Sequence, residues 1–147
     1  ILTGAKGRPP RIMRSLLLKE GELENHNRHL QEKFSLMKER ELLYEEEETG
    51  DAEIILVAYG TSARIAKAAL SQVRSEGIKA GIIRPITLWP FPEEVIANAS
   101  SRIKSFLVIE MSAGQMVEDV RLAVSGNCPV HFHGRTGGGV PTVDEVS

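Results

Sequence analysis

The chain has 147 residues, enough for one ordinary domain and an extension. Apolar residues make up 41% and charged ones 26%, the balance of a folded globular chain, and a formal charge of -2 offers no basic field to nucleic acid. The one cysteine, Cys128, excludes a disulfide framework, a CxxC pair and a cysteine-rich metal or iron–sulfur site.

That cysteine usage suits a reducing compartment, and the reading expects the cytoplasm. No apolar run approaches the roughly 18 residues of a membrane span and no signal-peptide pattern is visible, so no membrane partner is expected. The chain opens at Ile1 in mid-pattern. It closes at Ser147, just after Thr142 and Glu145, which are spaced as a capping box. Both ends read as cut, and a piece of a longer protein is expected.

Residues 1–12, ILTGAKGRPPRI, are rich in Gly and Pro and read as an extended connector. The GxxxxGK[ST] pattern of a phosphate loop is absent there. Residues 15–43 are rich in Leu, Glu, Lys and Arg. Leu23, Leu30, Phe34 and Met37 form one modest apolar stripe, which predicts an amphipathic helix too short in pattern for a coiled coil. His26 and His29 lie one turn apart on it. A solvated or interface face is favoured over a shared metal, because no third ligand type accompanies them. Leu42 to Thr49 reads LLYEEEET, and its charge suits an antiparallel edge strand.

Glu53 to Ala69, EIILVAYGTSARIAKAA, is the stretch around which the rest is arranged. An apolar run stops at Gly60 and an apolar-periodic segment follows, as in a buried parallel strand, a tight turn and a helix. Thr61 or Ser62 is expected to cap that helix. The sharper alternative is that these amides hold an anion. Lys79 to Arg84 is a second strand, parallel to the first across a right-handed crossover. RPITLWPFPEEVI then carries Pro85, Pro90 and Pro92, with Pro92 suited to a first helical turn. Trp89 and Phe91 on this loop either plug the domain's own core or present an aromatic anchor to a partner.

Ser105 to Glu110 is a third buried strand, and MSAGQM opens another helix with Ser112 as its expected cap. Met116, Val117, Val120 and Val124 form its buried stripe. Glu110 ends a strand at the sheet edge where open α/β folds place ligands. It is a general base, a partner contact or simply an acceptor for nearby loop backbone. Val130 to His133 is a fourth strand near an edge, with His131 and His133 on one face. Cys128, before Pro129 in a turn, has no activating neighbour in sequence and reads as inert.

In this order, VAYGTSARIAKAAL, IIRPITLWPFPEEVI, VIEMSAGQMVEDVRLAV and FHGRTGGGVPTVDEV resemble the transketolase C-terminal-like domain of 2-oxoacid:ferredoxin oxidoreductases. The resemblance is to the branched-chain (2-ketoisovalerate) type, in the subunit that carries the pyrimidine-binding domain. LTGAKGRP and LENHNRHLQEKF extend it over essentially the whole chain.

The resemblance implies an α/β fold, a three-layer αβα sandwich. Its five-stranded, mostly parallel sheet has the order 1-3-2-4-5 with strand 1 antiparallel at an edge. It divides the chain into a linker at 1–14, a helical extension at 15–41 and the domain at 42–147.

It also implies a parent enzyme that uses thiamine diphosphate, Mg2+ and iron–sulfur clusters. That enzyme decarboxylates a 2-oxoacid, forms an acyl-CoA and reduces ferredoxin, alongside other domains and subunits. The GDG thiamine signature, cluster cysteines and the catalytic Glu of the pyrimidine-binding domain are not in this sequence, so no catalytic, cofactor or metal residue carries over. Glu110, Ser112 and Gly114 match the family's strand-end Glu and helix-start Gly. Pro85, Thr87 and Pro90 match its Pro-rich loop. Structural or subunit-contact roles are implied for both.

A non-catalytic structural and assembly domain is therefore the first reading. An anion- or nucleotide-binding regulatory module near Thr61, Ser62 and Glu110 is the alternative. A free-standing interaction domain acting through the 23–37 helix comes third. Whether the piece alone pairs as a homodimer stays open.

Overall fold

The computed structural model describes residues 4, 6–10, 12–14 and 16–147. They divide into two compact units, 1–36 and 37–147. In the first unit the described residues before Gly21 are not helical, and α1 follows as Glu22–Arg40, its last residues belonging to the second unit. The helix starts later than the 15–41 extension expected from composition. Gly21 takes φ +76°, a left-handed turn that L side chains resist, and only beyond it can the helix run. Glu22 and Glu24 then favour its positive end, and Lys38 and Arg40 its negative end. No residue of α1 is buried; Leu30, Phe34 and Met37 are half-buried and Leu23 is exposed.

The second unit is built on β2, Ile54–Ala58. Its neighbours are β3, Ala80–Pro85, and β4, Ser105–Glu110, both parallel to it. β1, Tyr44–Glu47, joins β3 antiparallel at one edge, and β5, Val130–Gly134, joins β4 in parallel at the other. The sheet order is β1-β3-β2-β4-β5, as the resemblance implied.

The strand period of two splits the apolar residues between two core layers. Ile55, Val57, Ile83, Phe106 and Val108 face one side, under α3, Glu93–Ser100, and α4, Met116–Val124. Leu56, Ala58, Ile82 and Ile109 face the other, under α2, Gly60–Ser75, and the single turn α5, Val143–Val146. The result is the expected αβα sandwich. Small residues let α2 lie close to the sheet, since Ala63, Ala66 and Ala69 are all within 1% of full burial. A fully buried Phe or Ile of this kind contributes about 2–3 kcal/mol by its removal from water.

The β1 edge is charged, as expected: Tyr44 to Glu47 are all exposed. Glu45 pairs with Lys67 and Arg84, and Glu47 with Lys67. These exposed pairs contribute little to stability and chiefly discourage a second strand from adding there. Arg74 does more. Its guanidinium donates to the Ala80 carbonyl at 2.7 Å, the Glu48 carbonyl at 2.9 Å and the Asp51 carboxylate at 2.6 Å, tying α2 to the β1–β2 turn.

Candidate functional site

The period of two also decides where Glu110 goes. It follows Phe106 and Val108 onto the face that α4 covers, and it is fully buried. A lone buried carboxylate would be costly, so its partners matter. Its Oε1 accepts the Val117 N–H at 2.9 Å, and its Oε2 accepts the Met116 N–H at 3.1 Å and the Gln115 N–H at 3.2 Å. Ser112 Oγ–H donates to Oε2 at 3.0 Å and in turn accepts the Gly114 N–H at 3.0 Å. The carboxylate thus satisfies the open amides at the positive end of α4 from across the strand–helix junction.

This revises the expected cap. Ser112 precedes the helix by too many residues to cap it; Gln115 occupies the N-cap position and makes no side-chain cap bond. Ser112 instead orients the carboxylate that does the capping. Gly114 takes φ +107°, and a Cβ there would come within 3.1 Å of Val117 Cγ1. Glu110, Ser112 and Gly114 therefore form one unit. With its oxygens occupied and closed to solvent, Glu110 makes the backbone-acceptor contacts weighed from sequence and holds the start of α4.

The expected Thr61 or Ser62 cap is not made either. α2 begins at Gly60, whose φ of +57° turns the chain directly out of the strand, so Tyr59 is the N-cap and no side chain bonds the first amides. Thr61 and Ser62 fall inside the helix, Thr61 exposed and Ser62 buried. Gly60, Thr61 and Ala63 line an open cavity of about 440 Å³ with Arg64, Lys67 and Arg84. Among the described residues, no hydrogen bond joins this turn to the Glu110 unit. The three cations were missed as a group from sequence. Their one signal was Arg84 ending a strand at the sheet edge where Gly60 begins a helix.

The loop aromatics separate. Phe91 is buried in the α3–α4 core layer, whereas Trp89 is 49% exposed and is joined to Pro90 by a cis peptide bond. His131 is exposed; His133 is half-buried with Nε2 unpartnered. Among the described residues, no group of three or more His, Cys, Asp or Glu is placed to hold a metal. Burial pushes the Cys128 thiol up, which disfavours the reactive thiolate. One cysteine cannot supply the several thiolates of an iron–sulfur cluster, so the donor set of this chain does not fit that group. No helix is long and apolar enough to cross a membrane.

The second unit is thus a five-stranded αβα sandwich in which the last residue of β4 caps the helix that follows it, the fold the resemblance implied. Residues 52–146 match the pyruvate:ferredoxin oxidoreductase core domain II, and the chain belongs to that family. It is 44% identical over 143 residues to ketoisovalerate oxidoreductase subunit VorB of Methanothermobacter marburgensis, which covers 97% of this chain and 40% of that protein. It is 39% identical over 98 residues to 2-oxoglutarate synthase subunit KorA of the same organism, 67% of this chain and 26% of that one.

Among solved structures, a 2-oxoglutarate:ferredoxin oxidoreductase from Magnetococcus marinus aligns over 97% of this chain and 24% of its own. The TM-score is 0.75 at 21% identity, a likeness of fold. The chain thus spans about two fifths of the length of the VorB relative it matches.

Proposed function

We propose that the chain is the structural and assembly domain of a 2-oxoacid:ferredoxin oxidoreductase and carries no catalytic residue itself. The observation that carries this reading is the 44% identity to a ketoisovalerate oxidoreductase subunit over nearly the whole chain. The geometry supports it, because the most conspicuous acid, Glu110, is consumed in capping α4.

In this reading residues 42–147 are the domain, 15–41 a helical extension and 1–14 a linker. The parent reaction is oxidative decarboxylation of a 2-oxoacid to an acyl-CoA with reduction of ferredoxin, in the cytoplasm. Thiamine diphosphate, Mg2+ and iron–sulfur clusters act in the rest of the enzyme. Other domains and subunits are the direct partners; CoA and ferredoxin are partners of the whole. The test is an assay of 2-oxoacid oxidation with thiamine diphosphate, CoA and an electron acceptor. The chain alone is expected to be inactive, and turnover by it would end this reading.

A second reading, an anion- or nucleotide-binding regulatory module, draws on the cavity of Gly60, Thr61, Arg64, Lys67 and Arg84. Two of its cations are already engaged by Glu45, which places this reading second. Calorimetry with inorganic phosphate, ATP and CoA discriminates. No heat at millimolar ligand removes it, and saturable binding that is lost in Arg64→Ala supports it.

A further inference from the structure

Two hydrogen-bonded segments of the second unit hold a cluster of large apolar side chains at the surface. Leu43, just before β1, accepts the N–H groups of Ile86 and Thr87 at 3.0 and 3.1 Å. Leu43, Ile86, Leu88 and Trp89 remain between 47% and 54% exposed. Tyr44 and Trp89 also line a groove of about 230 Å³ with Leu42, Pro92 and Val95. Single exposed apolar residues are ordinary on a protein surface, but a contiguous set centred on a Trp marks a contact surface.

The cluster is also held rigid. Thr87 Oγ accepts the Leu43 N–H at 3.1 Å and donates to the Pro90 carbonyl at 2.8 Å. Pro85, Pro90 and Pro92 restrict the loop, and buried Phe91 pins it two residues beyond Trp89. An aromatic group fixed before contact loses little freedom on binding.

We infer that this surface seats another domain of the same oxidoreductase subunit. The inference rests on the proposed function and gives its assembly role an address. Two observations select the occupant. The VorB relative carries about three fifths of its length outside the matched stretch, ample protein to cover the surface. A second copy of this chain is disfavoured by charge: a two-fold contact through Leu43 and Tyr44 would set one Glu45–Glu48 run beside the other. A different domain avoids that repulsion.

Hydroxyl-radical footprinting tests this on the isolated chain and on the whole enzyme that contains it. Side-chain oxidation at Leu43, Leu88 and Trp89 is expected to fall at least fivefold in the enzyme, relative to Leu122, which is 78% exposed on α4. Unchanged rates in an enzyme that turns over its 2-oxoacid overturn the inference and leave the proposed function standing. An enzyme with no such turnover, whatever its footprint, instead removes the functional reading. Protection that appears in the isolated chain as its concentration rises overturns the inference in favour of a second copy. In the enzyme, Trp89→Ser with Leu88→Ser is expected to loosen the contact, so that Leu43 is oxidised at least threefold faster than in the wild-type enzyme. Leu43 protection equal to wild type contradicts the inference, provided the variant chain keeps its wild-type circular dichroism.

Discussion

The Glu110 carboxylate accepts the Val117 N–H at 2.9 Å, so the last residue of a central strand closes the first turn of the helix that follows it. Met116 and Gln115 add their amides to the same group. Glu110→Gln keeps the shape but turns an NH2 toward a ring of donors, leaving at least one buried amide without an acceptor. A loss of about 2–3 kcal/mol is expected. Urea unfolding followed by circular dichroism measures it, and an unchanged midpoint would contradict the capping role.

Gly81 on β3 marks a close approach of backbones. A Cβ there would lie 2.7 Å from the Glu48 carbonyl oxygen and 3.0 Å from Thr49 Cα. Neither is the end of a flexible side chain, so β3 and the β1–β2 turn must separate. Gly81→Ala is expected to destabilise by roughly 1–3 kcal/mol. Thermal unfolding of the variant is the check, and a gain in stability would show that the turn gives way freely.

Asp119 gives a pH effect of unusual sign. Burial, then the negative charges of Glu93, Glu110 and Glu118, hold its carboxyl above the usual range. The folded chain therefore binds this proton more tightly than the unfolded chain. Stability is lost as pH rises from the unfolded value near about 4 through the raised folded one, and stays lost at neutral pH. Asp119→Asn is expected to raise stability at pH 7 by a fraction of about 1 kcal/mol, since the group is largely exposed, and to change nothing near pH 3. Paired urea titrations at the two pH values decide.

Glu145 has the opposite sign. The Thr142 N–H it accepts at 2.8 Å, with Arg135 beside it, holds its carboxyl below the usual range. Its contribution is full above the unfolded value and is lost as pH falls through the lowered folded one. The single turn α5 is therefore expected to fray below about pH 4. Cα chemical shifts of Val143 to Val146 should move toward coil values there, and in Glu145→Gln already at neutral pH. Helical shifts that persist in that variant would contradict it.

The centre of the sheet was legible because its three parallel strands are short apolar runs ended by a turn or a polar residue: Ile54–Ala58, Ala80–Pro85 and Ser105–Glu110. Strand order came through the resemblance, since no local pattern says that β1 pairs with β3 and not with β2. The Thr142–Glu145 capping box at α5 was legible, but the starts of α2 and α4 were misread for one reason. Short hydroxyl residues near a helix start suggest a local cap, but here Gly60 makes the turn at α2 and a strand residue caps α4 across the junction. The split between Phe91 and Trp89 was equally hidden, because both are large aromatics on one stiff loop and only the packing of α3 and α4 decides which enters the core.

The most direct test of the assembly role replaces the matched stretch in a ketoisovalerate oxidoreductase subunit with this chain, and in parallel with a flexible linker. The account predicts that the subunit carrying the chain assembles with its partners and supports thiamine-dependent 2-oxoacid oxidation, while the linker version does not assemble and the chain alone is inactive. Full assembly and turnover with the linker, or turnover by the chain alone, would contradict it.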